Sequence, residues 1–205
     1  MKNIARVKVK IRGTRAYLQH GFGEDAIPLP NEKREKTGVA GNDPEEWKRT
    51  RMITRENQLY MLPTYIFATL RDGAKHTKAG RANLQKKVQA TLEVKDEIIL
   101  LDQFMPDEKE VTRLPTDPVY VDVRMVRNPG TGGRNIRYRL AAKAGWTCEF
   151  TIEFDWTVVT RAQMQAILRD AGKLEGVGNG RAIGMGRFEV ISWEELKDAK
   201  DTTAA

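Results

Sequence analysis

The chain has 205 residues, of which 40% are hydrophobic and 31% are charged, a composition typical of a globular protein with one large core or two small ones. Lys and Arg total 35 against 28 Asp and Glu, giving a net charge of +7, which favours polyanionic partners without identifying one. The single cysteine, Cys148, excludes a disulfide framework and a cysteine metal cluster, and the absence of a signal-peptide core or of an apolar run of about 18 residues predicts a cytoplasmic protein without a membrane span.

Apolar and basic residues alternate over residues 7–12. A period of two predicts a β-strand with one face directed at a core and a basic face on the other side. The basic face is either a solvated surface, which is the commoner meaning of such alternation, or part of a binding site. Its residues are Lys8, Lys10 and Arg12.

The stretch from Gly21 to Glu56 is rich in charge, proline and glycine and has no periodicity. It is far longer than the usual connection between elements, so we interpret it as an insertion between the first strand and the first helix. Trp47 lies beside Lys48, Arg49 and Arg51. This tryptophan is either a stacking surface for nucleic-acid bases or one aromatic residue that pins the loop to the core.

A helix is predicted to begin at residues 62–65, where Pro63 occupies the first turn and its missing N–H costs little. The helical pattern continues to Leu92, with interruptions near Gly73 and Gly80.

Four strands are predicted after this helix. Residues 98–101 form a short apolar run, and residues 119–125 and 136–140 alternate on either side of a turn sequence at 128–133, which predicts a β-hairpin. Residues 148–156 alternate apolar side chains with Glu149, Thr151, Glu153 and Asp155. Because this outer face is acidic whereas that of the first strand is basic, we expect the fold to separate its charges.

A second helix is predicted over residues 160–172, with Thr160 as its N-cap and Gly172 as its C-terminal glycine. The last strand is predicted over residues 187–192, followed by one helical turn at 193–197.

Between this helix and the last strand lies a glycine-rich loop, residues 176–187. It contains five glycines and two arginines, with Arg181 in the middle of the loop and Arg187 at its end. Glycines permit positive φ and the close approach of a ligand, and guanidinium groups beside backbone N–H groups suit an anion. The order helix, loop, strand is the reverse of the order in a P-loop or a Rossmann fingerprint, so a mononucleotide or dinucleotide site is disfavoured. A plain flexible connection is the alternative.

The order of elements predicts an α+β fold with a ferredoxin-like (βαββαβ, RRM-like) core, a long insertion after the first strand and an added β-hairpin. We expect a single domain over residues 1–198, with the insertion at 21–56 and a flexible tail at 199–205.

The chain resembles the RAMP superfamily, the RNA-recognition-motif-like proteins of CRISPR effector complexes, and among them the backbone subunits that hold the guide RNA. The loop and strand at 176–190 are similar to the superfamily's C-terminal signature of glycines and a basic residue before a last strand. Residues 62–65 open the first helix where the family often has a proline followed by small hydroxyl residues, and Arg71 lies near the helix end.

This resemblance implies a non-catalytic subunit that binds single-stranded RNA and associates with copies of itself or with related subunits in a ribonucleoprotein of antiviral defence. From the residues themselves, which show no zinc-ligand spacing and no apolar run of membrane-span length, we expect no metal, no other cofactor and no membrane partner. Basic side chains and the glycine loop would hold the phosphate backbone in a sequence-tolerant, salt-sensitive way. The residues expected to contact RNA are Lys8, Lys10, Arg12, His20, Arg71, Gly178, Gly180, Arg181, Gly184, Gly186 and Arg187.

Two alternatives to this function stay open. One is a metal-independent endoribonuclease that processes guide RNA, for which His20 is a weak candidate as general acid or base. Target-cleaving relatives use an aspartate in the insertion, where Asp25 and Asp43 lie, and Asp43 is a second weak candidate. The other alternative is an assembly protein of a mobile element that uses the same fold for protein contacts.

Overall fold

The computed structural model describes residues 3–21, 43–127, 130 and 132–196. The fold is α+β, and its strands form antiparallel sheets of six, three and two strands. The strands are β1 (Ile4–Gly13), β2 (Tyr17–Leu18), β3 (Gln58–Met61), β4 (Lys78–Ala79), β5 (Ala82–Asn83), β6 (Glu93–Val94), β7 (Ile99–Phe104), β8 (Val119–Arg127), β9 (Arg134–Ala142), β10 (Thr147–Asp155) and β11 (Phe188–Glu195). The helices are α1 (Glu46–Thr50), α2 (Pro63–Gly73), α3 (Gln85–Thr91) and α4 (Arg161–Asp170).

The largest sheet has the strand order β11-β1-β10-β7-β3, and β6 pairs with β10 beside this path. The predicted first strand is confirmed, since Val7, Val9 and Ile11 on β1 are fully buried. They face the same side as their partners on β10, with Val9 opposite Phe150, because paired residues of antiparallel strands share a face. Each of these two strands has a neighbouring strand on both sides, so the pair lies in the interior of the sheet.

Helices α2 and α4 supply apolar faces to the same core as the sheet. Ile66 and Leu70 of α2 are buried, as are Ile167 and Leu168 of α4. The predicted N-cap of α4 is confirmed, because Thr160 and Gln163 form a reciprocal capping box.

The predicted end of the second helix at Gly172 is wrong. A π-helical turn, Ala171–Glu175, continues α4, and the helical stretch ends at Gly176 with a φ of 79°. Gly172 serves packing instead, since a Cβ there would lie 2.3 Å from the carbonyl oxygen of Phe188 at the start of β11.

The helical turn predicted at residues 193–197 is also wrong over the residues that the structure describes. Strand β11 runs on to Glu195, because its pairing with β1 continues past a bulge, with Trp193 opposite Val9 and Glu195 opposite Val7. The predicted tail, residues 199–205, lies outside the described residues.

The region between α2 and β7 is more divided than the sequence predicted. Helix α2 ends at Gly73. A short hairpin follows, in which β4 and β5 have two residues each, and α3 is a separate helix after it. The strand predicted at 98–101 is confirmed from Ile99 onward as part of β7, but it is buried only at alternate residues, with Ile99 and Leu101 buried and Leu100 exposed.

The predicted hairpin is confirmed as β8 and β9, which pair from Val119 with Ala142 to Arg127 with Arg134. Together with β2 it forms the three-stranded sheet. Parts of the predicted turn, Asn128, Pro129 and Thr131, lie outside the described residues.

Part of the predicted insertion is ordered around helix α1, while residues 22–42 lie outside the described residues. Trp47 is 5% exposed, and Lys48 and Arg51 lie over its ring at 5.6 and 5.9 Å from the centroid. Its burial favours the interpretation as a core anchor over that of a stacking surface. Glu46 ties α1 to β9, where its carboxylate accepts the backbone N–H of Tyr138 at 3.0 Å.

Over the described ranges, every helix is too short or too polar to cross a membrane.

Candidate nucleic-acid interface

The glycine-rich loop, residues 176–187, is held against β2 and the residue that precedes it. The backbone N–H of Asn179 donates to Leu18 at 2.9 Å, and that of Gly186 donates to Ala16 at 2.8 Å. Within the loop, Val177 donates to Gly186 at 2.9 Å. These three amides are occupied inside the protein and are therefore not available to an anion.

Two of the loop glycines are required by the protein's own packing. Gly186 has a φ of 67°, and a Cβ there would lie 1.8 Å from the carbonyl oxygen of Val177. Gly178 has a φ of 82°, and its Cβ would lie 2.4 Å from the ring of Tyr17. The sequence suggested glycines that admit a ligand, whereas the neighbours at these two positions are the protein's own atoms.

Arg181 begins a 3₁₀ turn, Arg181–Ile183, between two glycines with left-handed backbone. Its Nη1 lies 3.3 Å from Oδ2 of Asp72 at the end of α2. Arg71 and Lys75 contact the other oxygen of that carboxylate at 3.1 and 3.0 Å. The structure therefore brings Arg71 and Arg181, which are far apart in sequence, to one carboxylate.

The Asp72 carboxylate is ionised despite its burial. Burial acts to raise its pKa, but the hydrogen bonds and the positive charges of Lys75 and Arg71 together outweigh that effect and leave the pKa below its usual value. The carboxylate thus acts as an internal counterion for the cations around it.

A groove of about 690 Å³ lies over the loop, and we call it the loop groove. Arg181 and Arg187 are its cations, and Gly178 and Gly180 form part of its floor. Its one acidic lining residue, Glu175, pairs with Nε2 of His76 at 2.8 Å.

A second groove of about 500 Å³ lies on the other side of Arg187, and we call it the basic groove. Arg15, Arg169 and Lys173 line it together with Arg187. The guanidinium of Arg187 donates to the carbonyl oxygen of Lys173, which fixes this side chain at the junction of the two grooves. The only acid lining the basic groove, Glu189, is paired with Arg12 at 2.6 Å.

The prediction that the fold separates its charges is wrong. Strand β1 lies beside β10, and both Lys8 and Lys10 reach the carboxylate of Glu149, at 2.7 and 3.1 Å. The hydrogen bond to Glu149 raises the pKa of Lys8, and those from Lys8 and Lys10 lower the pKa of Glu149. Cross-strand pairing therefore neutralises much of the expected basic strip.

His20 lies away from both grooves. It follows β2, where burial lowers its pKa, with Glu46 opposing and Arg139 and Arg137 reinforcing this effect. The arginines that act on His20 are therefore those of β9, whereas the loop groove is lined by Arg181 and Arg187.

Asp43 also lies away from both grooves and has a local structural role. Its carboxylate accepts the backbone N–H of Glu45 at 2.9 Å and pairs with Arg49. The other aspartate of the insertion, Asp25, lies outside the described residues. In the portion of the chain that the structure describes, no three His, Cys, Asp or Glu side chains are grouped so that they could hold a metal ion.

The predicted site residues therefore divide into groups. Gly178, Gly180, Arg181 and Arg187 line the loop groove, and Arg71 adjoins them through Asp72. Gly184 and Gly186 shape the same loop. Arg12 reaches the basic groove through Glu189, whereas Lys8, Lys10 and His20 line neither groove.

Sequence reasoning missed Arg15, Arg169 and Lys173. Arg169 and Lys173 are four residues apart, at the end of a helix that leads directly into the glycine loop. Residues at that spacing share a helical face, so the sequence could have predicted that these two cations lie together beside the glycine loop. Arg15 offered none, because its position depends on the turn between β1 and β2.

No protein-family model matches this chain, and no curated protein matches it. Among solved structures, it is similar to a protein chain in the cryo-EM structure of the Type III-B Cmr-beta bound to cognate target RNA. The TM-score is 0.50 and the identity 15%, over 96% of this chain and 62% of that one. At this identity the similarity concerns the fold alone, and this chain spans about three-fifths of the length of the matched chain.

Proposed function

We propose that this protein is a non-catalytic subunit that binds single-stranded RNA in a ribonucleoprotein. The observation that carries the proposal is the pair of adjoining cationic grooves that meet at Arg187. Arginine is suited to phosphate because its planar guanidinium offers several donors and stays charged.

The fold supports the same proposal. The strand order β11-β1-β10-β7, with helices α2 and α4 on one face, supports a ferredoxin-like core of the kind that the RAMP superfamily shares. The similarity to a chain from an RNA-bound assembly agrees with this assignment. We therefore infer a guide-RNA-binding role in a CRISPR-type complex, with copies of this chain or related subunits as protein partners.

Within the proposed site, the loop groove contributes more to RNA affinity than the outer face of β1. Arg187 carries no carboxylate partner among the described residues, and Arg181 shares Asp72 with two other cations. Lys8 and Lys10, in contrast, both rest on Glu149. A phosphate at β1 therefore competes with a nearby carboxylate for each lysine.

A matched pair of double variants tests the site. Arg181→Ala with Arg187→Ala and Lys8→Ala with Lys10→Ala each remove two positive charges. Hydrogen bonds to charged groups contribute about 1.5–3 kcal/mol each, so we expect the arginine variant to lose at least about tenfold in affinity for single-stranded RNA. The lysine variant is expected to lose less, as measured by fluorescence anisotropy at two salt concentrations.

Equal losses in the two variants would show that net charge, and not the loop groove, determines binding. The same reactions report on catalysis, because His20 and Asp43 line neither groove and the proposal expects the RNA to remain intact. Cleavage that disappears in a His20→Ala variant would instead support the endoribonuclease alternative. A protein that binds no RNA at all would leave the assembly-protein alternative.

A further inference from the structure

The basic groove is lined by cations that have no internal counterion. Arg15, Arg169 and Lys173 are exposed, and none of them forms an ion pair with a carboxylate of the described residues. By comparison, Lys8, Lys10, Arg12, Arg71 and Arg181 each have a carboxylate within 3.3 Å. These unpaired side chains converge on one groove from two separate segments of the chain, the turn after β1 and the helical stretch of α4 with its π-helical turn.

The acidic residue in this groove does not cancel its charge. Both the Nε and an Nη of Arg12 contact Oε1 of Glu189, at 2.8 and 2.6 Å. With Glu189 held in that way, the groove presents Arg15, Arg169, Lys173 and Arg187 to solvent with little opposing charge. Cations gathered in a concave surface raise the local potential for an anion.

The chemistry of the lining favours a phosphodiester backbone over a base. The aromatic ring nearest the groove belongs to Phe188, which is 4% exposed and therefore offers no stacking surface. Contacts from Lys and Arg to phosphate position a strand without reading its sequence. An RNA segment in this groove is therefore expected to bind irrespective of its bases.

We propose that the basic groove is a second phosphate site that continues the loop groove, so that one RNA strand crosses the protein over Arg187 and occupies both. This inference rests on the proposed function, and it extends the RNA footprint to residues that the sequence pattern did not assign. Arg187 would then contact the strand at the junction, where its guanidinium already adjoins both grooves.

The test compares two triple variants that remove the same charge. The first is Arg15→Ala, Arg169→Ala and Lys173→Ala. The control is Lys86→Ala, Lys87→Ala and Lys109→Ala, which are exposed, line neither groove and form no ion pair with a described carboxylate. Binding of a 15-nucleotide oligouridylate is measured over a series of salt concentrations.

Each phosphate contact to a single strand contributes about 0.7 to the slope of log K against log salt, so loss of three contacts reduces the slope by about 2. We expect that reduction and at least about a tenfold loss of affinity in the groove variant, with a change of less than about twofold in the control. Oligoadenylate is expected to show the same losses, since no base is read.

Equal slopes in the two triple variants would overturn the second site. The outcome is distinguishable from failure of the proposed function, because the Arg181 and Arg187 double variant would still lose affinity in that case. Wild-type protein that binds no RNA would reject both proposals. A second groove variant, with glutamine in place of the three cations, keeps side-chain volume, and urea midpoints of all variants establish that they are folded.

Discussion

Gly186 is a single position at which backbone conformation and packing both exclude a side chain. A left-handed φ costs a non-glycine residue about 1–2 kcal/mol, and forcing an atom into a filled space costs about 1–3 kcal/mol more. We predict that Gly186→Ala destabilises the protein by about 2–5 kcal/mol in urea unfolding, because its Cβ would lie 1.8 Å from the Val177 carbonyl oxygen.

Gly184 provides the matched control for that substitution. It has a φ of 81°, but a Cβ there meets no atom within 4 Å. Gly184→Ala is therefore expected to lower the free energy of unfolding by only about 1–2 kcal/mol, the cost of a left-handed backbone conformation for a non-glycine residue. If both substitutions destabilised the protein equally, the packing of Gly186 against Val177 would not be as described.

Individual charged residues could be predicted from the sequence, but their partners could not. Arg181 and Arg187 follow from their place among glycines, whereas the contact of Arg181 with Asp72 joins residues 109 positions apart. Likewise, Glu149 was recognised as acidic and Lys8 as basic, yet only the register of β1 and β10 shows that they neutralise each other. Sequence patterns give the face of a strand but not its neighbour.

Among the secondary-structure elements, α4 depends most visibly on local sequence. The hydroxyl of Thr160 accepts the backbone N–H of Gln163, and the Gln163 side chain accepts that of Thr160. Loss of an N-cap hydroxyl costs about 1 kcal/mol. We predict that Thr160→Ala lowers the free energy of unfolding by about that amount and that Thr160→Ser restores most of it, as measured by urea denaturation.

An equal loss in Thr160→Ser would mean that the methyl group, and not the cap, stabilises the start of α4. Because the π-helical turn after α4 leads into the loop groove, RNA affinity of the same variants shows whether fraying at the start of α4 reaches the site.

The elements with strong periodicity were predicted, and those defined by tertiary contacts were not. Alternation identified β1, β10 and the hairpin of β8 and β9. The extension of β11 to Glu195 follows from pairing with β1, and Gly172 in the π-helical turn packs against Phe188 at the start of β11. Such effects arise between segments and leave no periodic signal in either one.

For the protein as a whole, Cys148 is an internal reporter of folding. It is the only cysteine, it lies in the central strand β10, and it is 4% exposed. Burial raises the pKa of its thiol well above the usual range, so little reactive thiolate forms in the native state. We predict that a thiol reagent labels it only after unfolding, in step with the loss of circular dichroism in urea.

Rapid labelling of the native protein would contradict the burial of β10 and the arrangement of the main sheet. A Cys148→Ala variant is the blank for this measurement, and free cysteine gives the intrinsic labelling rate.

The shared carboxylate of Asp72 has a consequence for how binding responds to salt. A cation that already pairs with a carboxylate of the protein exchanges that carboxylate for a phosphate when RNA binds. An unpaired cation instead neutralises a phosphate without giving up a partner. Counterion release follows the number of phosphates newly neutralised. Arg181 is therefore expected to contribute geometry and orientation, while the cations of the basic groove account for most of the sensitivity of RNA binding to ionic strength.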